Sequence, residues 1–345
     1  MRFLLLFMLG WWLLALSACG NQAEPTDVGT STDTLARGTE AYYNQLIARF
    51  PNNPEAYYGR ALRYQEVGHF DKAIADLEQA IRLAPDSAIY VYALSDLYMS
   101  ARDPNLQLPD SWKAIETLKR FIATHPTHED AQIELADVLL TLAQYREMHD
   151  LLDKLLKANP YNPDAWFYKG IAYSFAGDTP LAIRQLQASL EIDPEAPNVH
   201  YELGLLFDRS NSNLAMSYYD NVLRLDSNFT DARYMKGFAL QNLGRYEEAM
   251  AIYRDIIYRD KRYAKAHYNM GYIWYVQDTV DKALRSFERA LGVDPTYVNA
   301  YYMRGLMSEL LGDLDRAIAD YRQTLNLDPR HRLAADGLDR LKHLQ

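Results

Sequence analysis

Between His267 and Tyr275 the chain reads HYNMGYIWY, and the spacing of its apolar residues predicts a helix with two faces. At about 100° of rotation per residue, His267, Met270, Gly271 and Trp274 fall on one stripe. Tyr268, Tyr272 and Tyr275 fall on another, centred roughly a third of a turn away. A surface helix needs one apolar face to reach a core, so the second face implies a second neighbour or a ligand. A different pattern opens the chain. Phe3 to Leu16 is apolar apart from Gly10, follows Met1-Arg2 and ends in LSAC, Leu16 to Cys19. That stretch is too short and too weakly flanked for a membrane-spanning helix and predicts an export signal over residues 1–18. The next segment, GNQAEPTDVGTSTDT, is polar and rich in Gly, Ser, Thr and Asp. It predicts a flexible tether over 19–34 with an r.m.s. span of roughly 20 Å.

Beyond the tether the pattern repeats. Gly170, Gly204, Gly237, Gly271 and Gly305 recur at steps of 34, 33, 34 and 34, and Ala182, Ala215, Ala249, Ala283 and Ala317 keep the same beat. Pro126, Pro160 and Pro194 share the step, as do Pro295 and Pro329. Small residues belong where two helices approach closely, and a proline ends a helix and favours an extended residue before it. The period therefore predicts a chain of helix hairpins, each burying its apolar face only by stacking on its neighbours.

The best copies, Trp166, Gly170, Tyr173, Ala182, Leu186 and Pro194 in one and Gly271, Trp274, Ala283, Phe287 and Pro295 in another, resemble the tetratricopeptide repeat. The resemblance implies an all-α fold, a right-handed superhelical solenoid of about eight hairpins over 54–331. The eight repeats open at Pro54, Ala88, Glu129, Pro163, Pro197, Thr230, Ala264 and Val298. A degenerate half-repeat over 35–53 precedes them, and a capping helix over 332–345 follows, with an apolar stripe of Leu333, Leu338, Leu341 and Leu344. Departures mark looser places: about seven extra residues around ARDPNLQLPDSW in the second repeat, Ser227 and Lys261 in place of the closing proline, and Met148 in place of the small alanine. The extra residues are expected to loop out between two helices.

In that family the fourth, seventh, eighth and eleventh positions of each first helix pack, and the second, fifth, ninth, twelfth and thirteenth line a concave groove. The resemblance thus assigns Tyr268, Tyr272 and Tyr275 to a groove. The fifth positions read Tyr58, Tyr92, Ile133, Phe167, Tyr201, Tyr234, Tyr268 and Tyr302; the ninth read Leu62, Asp96, Asp137, Ile171, Leu205, Phe238, Tyr272 and Leu306. The candidate partner-binding residues are Tyr234, Phe238, Tyr268, Tyr272, Tyr275, Tyr302 and Leu306. Tyrosine is common at the fifth position throughout the family, so generic packing between repeats accounts for part of this spine. Phe238, Tyr272 and Tyr275 are the sharper signal. A carboxylate clamp of the kind some members use needs lysine and asparagine in the groove, where Lys265 stands nearly alone.

Small residues before the only cysteine, Cys19, resemble the lipobox of bacterial lipoproteins. The resemblance implies acylation of Cys19 and a lipid-anchored envelope protein, and Gly20 in the position after it favours the outer membrane. One cysteine allows no internal disulfide. Removing residues 1–18 takes away only Arg2, leaving 35 basic against 46 acidic side chains, about −11 in net charge. Such a surface repels nucleic acid and anionic headgroups.

Catalytic patterns are missing. HPTH, His125 to His128, is the only close histidine pair, and Gln132 stands where a zinc-protease helix would need its second histidine. There is no Gly-rich phosphate loop and no G-x-S-x-G elbow, and most carboxylates are expected at solvated helix positions. No cofactor or metal is expected. The sequence reads as a non-catalytic scaffold that binds an extended or helical protein segment in its groove. The rival reading is a cell-wall glycan-binding protein or an envelope enzyme with an unfamiliar site on the tyrosine-rich face.

Overall fold

A computed structural model describes residues 38–100, 111–208 and 212–342. The export signal, Cys19, the tether, the 101–110 insertion and Leu344 lie outside the described residues. Among the described residues there are 18 helices and no strand. They divide into two compact units, up to Ala172 and from Tyr173 onward. The first unit holds α1 (Glu40–Arg49), α2 (Pro54–Glu66), α3 (Phe70–Leu83), α4 (Ala88–Ser100), α5 (Ser111–Thr124), α6 (Glu129–Thr141), α7 (Tyr145–Ala158) and most of α8 (Pro163–Phe175). The second holds α9 (Thr179–Ile192), α10 (Pro197–Asp208), α11 (Ser212–Leu225), α12 (Thr230–Asn242), α13 (Tyr246–Arg259), α14 (Ala264–Val276), α15 (Val280–Val293), α16 (Val298–Leu310), α17 (Leu314–Leu327) and α18 (Arg332–Lys342). This is the α-solenoid of stacked hairpins that the 34-residue period implies. None of these helices is long and apolar enough to cross a membrane.

Local chemistry sets where each helix starts and turns. Asn53 accepts from the Glu55 amide at 3.0 Å with Pro54 in the first turn, and Asn162, Asp178 and Asp313 cap α8, α9 and α17 in the same way. Such side-chain acceptors satisfy helix N–H groups that have no partner within the helix. Inside the hairpins the chain reverses through a left-handed residue: Gly68, Gly177, Gly244 and Gly312, with Ala143 and Asp278 at the equivalent places.

The last four hairpins close by a glycine on the first helix meeting an aromatic ring on the second; in the first four repeats that ring is replaced by Leu77, Leu118, Leu152 and Leu186. A Cβ at Gly271 would lie 2.7 Å from Phe287 Cε1, closer than side chains tolerate. Tyr219, Tyr253, Phe287 and Tyr321 stand at this place in successive hairpins and are fully buried, each contributing about 1.5–3 kcal/mol through apolar burial. Bidentate ion pairs across the hairpin recur at a 16-residue separation, Arg60 on Asp76 and Arg304 on Asp320, all at 2.7–2.8 Å. The last helix differs from the sequence reading in one respect. Leu338 and Leu341 are buried together with Ala334 on Tyr321 and Ile318, but Leu333 is exposed. One residue is a 100° rotation, so once Ala334 faces α17, Leu333 must point away.

Candidate partner-binding groove

The helix carrying HYNMGYIWY, α14, has three faces. Ala266, Asn269, Gly271 and Ile273 are buried. Ala266 and Ile273 join Ala249, Met250, Tyr253 and Ile256 of α13 in one apolar cluster, against which Met270 and Trp274 pack. Trp274 also packs with Tyr268 on Ala283 and Phe287 of α15, and Lys282 caps its ring at 4.3 Å. The face opposite carries Tyr272 and Tyr275. The packing stripe read from the sequence is therefore too narrow: it contains His267 and Trp274, which stay half-buried, and omits Asn269 and Ile273. Asn269 is polar and still buried because its Nδ2 donates to the hydroxyls of Tyr234 and Tyr253, each at 3.1 Å.

The structure separates the candidate residues into two groups. The fifth-position tyrosines of the last four repeats belong to a packing ladder, each ring meeting the last residue of its own repeat. Tyr201 lies 5.1 Å from Phe229, Tyr234 5.6 Å from Tyr263, Tyr268 5.0 Å from Tyr297 and Tyr302 4.9 Å from His331, between ring centroids. Burial pushes the Tyr268 hydroxyl up to about 12 and raises Tyr234 and Tyr302 as well. These rings stay neutral phenols and serve chiefly to join repeats. Phe238 and Leu306 are half-buried, Leu306 on the Phe287 cluster.

Tyr272 and Tyr275 are different. They are 38 % and 36 % exposed, with ring centroids 6.4 Å apart. Position 275 is one where the fold elsewhere has work for a polar group. Its counterparts Gln241 and Glu309 accept hydrogen bonds from the buried hydroxyls of Tyr253 and Tyr321. In the seventh repeat the buried ring is Phe287, which has no hydroxyl, so packing does not call for a tyrosine at 275. Val276 extends the same face and Leu310 stands at its equivalent in α16; both are exposed. Sequence reasoning missed Val276, Leu310, Tyr263 and Tyr297. The last two were visible as an aromatic or histidine recurring at the end of the last four repeats: Phe229, Tyr263, Tyr297, His331.

In the first unit the ninth positions of the second and third repeats are acidic, Asp96 and Asp137, and Glu134 stands one turn before Asp137. Burial pushes Asp96 up to about 6 and Glu134 up to about 8, with like charge from Asp137 adding to both and from Asp96 to Glu134. Asp137 is raised by burial too, although the Tyr168 hydroxyl donates to it at 3.0 Å. Asp96 keeps solvent access. Glu134 and Asp137 are half-buried, because neighbouring first helices bring the sixth and ninth positions together. A carboxyl whose folded pKa is raised binds its proton more tightly folded than unfolded, so the stability it contributes is present at low pH and lost as pH rises. The window runs from about 4 to about 8 for Asp96 and Glu134. Thermal midpoints should fall across it, and Glu134→Gln should flatten the fall and raise the midpoint by several degrees at pH 8. A steeper fall in the variant would count against this account.

The histidine pair has structural roles. His125 stacks on Phe121 at 4.3 Å between centroids, and His128 Nδ1 accepts from the Ala131 amide at 3.3 Å. Among the described residues no group of His, Cys, Asp or Glu is arranged to hold a metal.

Profiles of the tetratricopeptide repeat match residues 54–87, 129–172, 230–263 and 274–331. Tetratricopeptide repeat protein 34 of Homo sapiens is 26% identical over 227 residues, 59% of this chain and 40% of that protein. The chain spans less than half the length of the curated relatives it matches. Among solved structures, the type IV pilus biogenesis factor PilW is similar with a TM-score of 0.54 at 18% identity, covering 61% of this chain and 99% of that one. A tetratricopeptide repeat protein from Parabacteroides merdae ATCC 43184 gives 0.51 at 18% identity, covering 68% and 93%. Sequence matches in both compact units and the shared hairpin fold agree: this chain carries tetratricopeptide repeats.

Proposed function

We propose that the protein is a non-catalytic scaffold, held by a lipid on Cys19 at a bacterial envelope, most simply the outer membrane, and that it receives a segment of a partner protein on the open faces of α12, α14 and α16. Proteins of this repeat are generally interaction scaffolds, which supports the class. The observation that carries the site is the exposed pair Tyr272 and Tyr275 beside Val276, at positions where hairpin packing requires no aromatic ring. Large rings left in water at the centre of a face are the kind of anchor that dominates protein interfaces.

A photo-crosslinking residue at position 272 in living cells tests the site. It should trap a discrete partner protein, whereas the same residue at position 258, where Tyr258 is 86 % exposed on the second helix of its hairpin, should not. Equal products from both positions, or trapping of cell-wall glycan at 272, would refute the protein-binding reading. The anchor has its own test. Cys19→Ser should abolish incorporation of a fatty-acid analogue and remove the protein from the lipid-bound pool; equal labelling of variant and wild type would exclude lipidation at this residue.

A further inference from the structure

Three of the four equivalent buried rings of the second unit have their polar needs met. The Tyr253 hydroxyl donates to Gln241 Oε1 and accepts from Asn269 Nδ2, both at 3.1 Å. The Tyr321 hydroxyl donates to Glu309 at 2.5 Å. Phe287 has no hydroxyl. The fourth ring, Tyr219, is 0 % exposed, and its hydroxyl has no hydrogen-bond partner among the described residues. A buried phenol that has lost water without gaining an acceptor works against the folded state.

The same region gathers further deficits. Among the described residues, His200 Nδ1 on α10, Asp226 Oδ2 just after α11 and Arg233 Nη1 on α12 are buried without a hydrogen-bond partner. Desolvation lowers the pKa of Arg233, with Arg259 adding to the effect, even though Asp255 pairs with it at 2.9 Å. The repeat is one residue short, since Gly204 to Gly237 spans 33 residues, and it closes on Ser227 where other repeats have proline. Its apolar residues Ala215, Tyr219, Val222 and Ala232 pack together, flanked by Phe229 and Met235 among others.

We propose that the α10–α11 hairpin is a built-in opening point of the second unit, unfolding locally ahead of α12–α17 and uncovering Phe229, Ala232 and Met235. In a repeat array stability is a sum of local and nearest-neighbour contributions, so a hairpin with unmet buried groups opens without dragging the rest apart. The device leaves the α14 face intact while changing what lies at the edge of α12.

Native-state hydrogen exchange on the full chain tests it. Amides of Pro197–Asp208 and Ser212–Leu225 should exchange at least about tenfold faster than those of Ala264–Val293 through local opening. The same substitution at three equivalent positions supplies the sign. Tyr219→Phe removes an unmet hydroxyl and should slow exchange in α10–α11 by about fivefold or more, while Tyr253→Phe and Tyr321→Phe remove satisfied ones and should speed exchange in their own hairpins. Protection of α10–α11 equal to that of α14–α15, or faster exchange there in the Tyr219→Phe protein, would overturn the proposal.

Discussion

Replacing Tyr272 and Tyr275 together by alanine is expected to weaken partner binding at least tenfold while leaving helical content unchanged. Both rings are more than a third exposed, so their loss opens no cavity. Aromatic anchors at an interface centre are each worth about 2 kcal/mol or more, and about 1.4 kcal/mol is a factor of ten. Tenfold is therefore the lower bound for the pair. Packed helices lie about 8–10 Å apart and an extended chain advances about 3.3–3.6 Å per residue. A bound strand would meet a new first helix about every third residue, and its apolar anchors should recur at that interval. The face around Tyr272 holds few charges, so high salt should change the affinity little. Titrating the partner trapped from cells against wild type and the double variant, at low and high salt, decides the matter. Unchanged affinity in the variant, or binding lost to salt alone, would place the true site elsewhere, with the acidic face around Asp96, Glu134 and Asp137 the first alternative.

Gly271→Leu should loosen the seventh repeat without unfolding the first. A Cβ at 271 meets Phe287 Cε1 at 2.7 Å and two further ring atoms at 2.9 Å. That ring is fully buried with Ala283, Met303 and Met307 around it, so it has nowhere to move. Overpacking of this kind costs about 1–3 kcal/mol, and leucine adds three more carbons beyond the clashing Cβ. Hydrogen exchange should show lost protection in α14 and α15, weaker loss in α13 and α16, and none in α2 and α3. A uniform loss along the chain would show that the repeats unfold as one cooperative body.

The hairpin architecture is legible in the sequence because its cause recurs every 34 residues. Each hairpin needs a small residue under a large apolar one, as Gly271 lies under Phe287 and Gly305 under Tyr321, and each needs a break before the next. Spacing alone records those requirements. Periodicity within one helix also finds the apolar stripes of α14, but it counts residues on a single cylinder. Burial is decided by three neighbours at once, and those come from distant parts of the chain. Asn269 looks like an exposed amide until α12 and α13 bring two tyrosine hydroxyls to it. Tyr275 resembles its counterparts Gln241 and Glu309 until the absence of a hydroxyl on Phe287 shows that the fold does not use it. Glu134 and Asp137 look like solvated helix carboxylates until stacking of first helices sets them beside Asp96. Leu333 looks like core and yields its place to Ala334 because α17 fixes the rotation of α18. Local spacing determined which elements form and where they turn. Only the tertiary structure decided which side chains those elements bury and which they leave free to bind, because desolvation and hydrogen bonding depend on what packs across the chain.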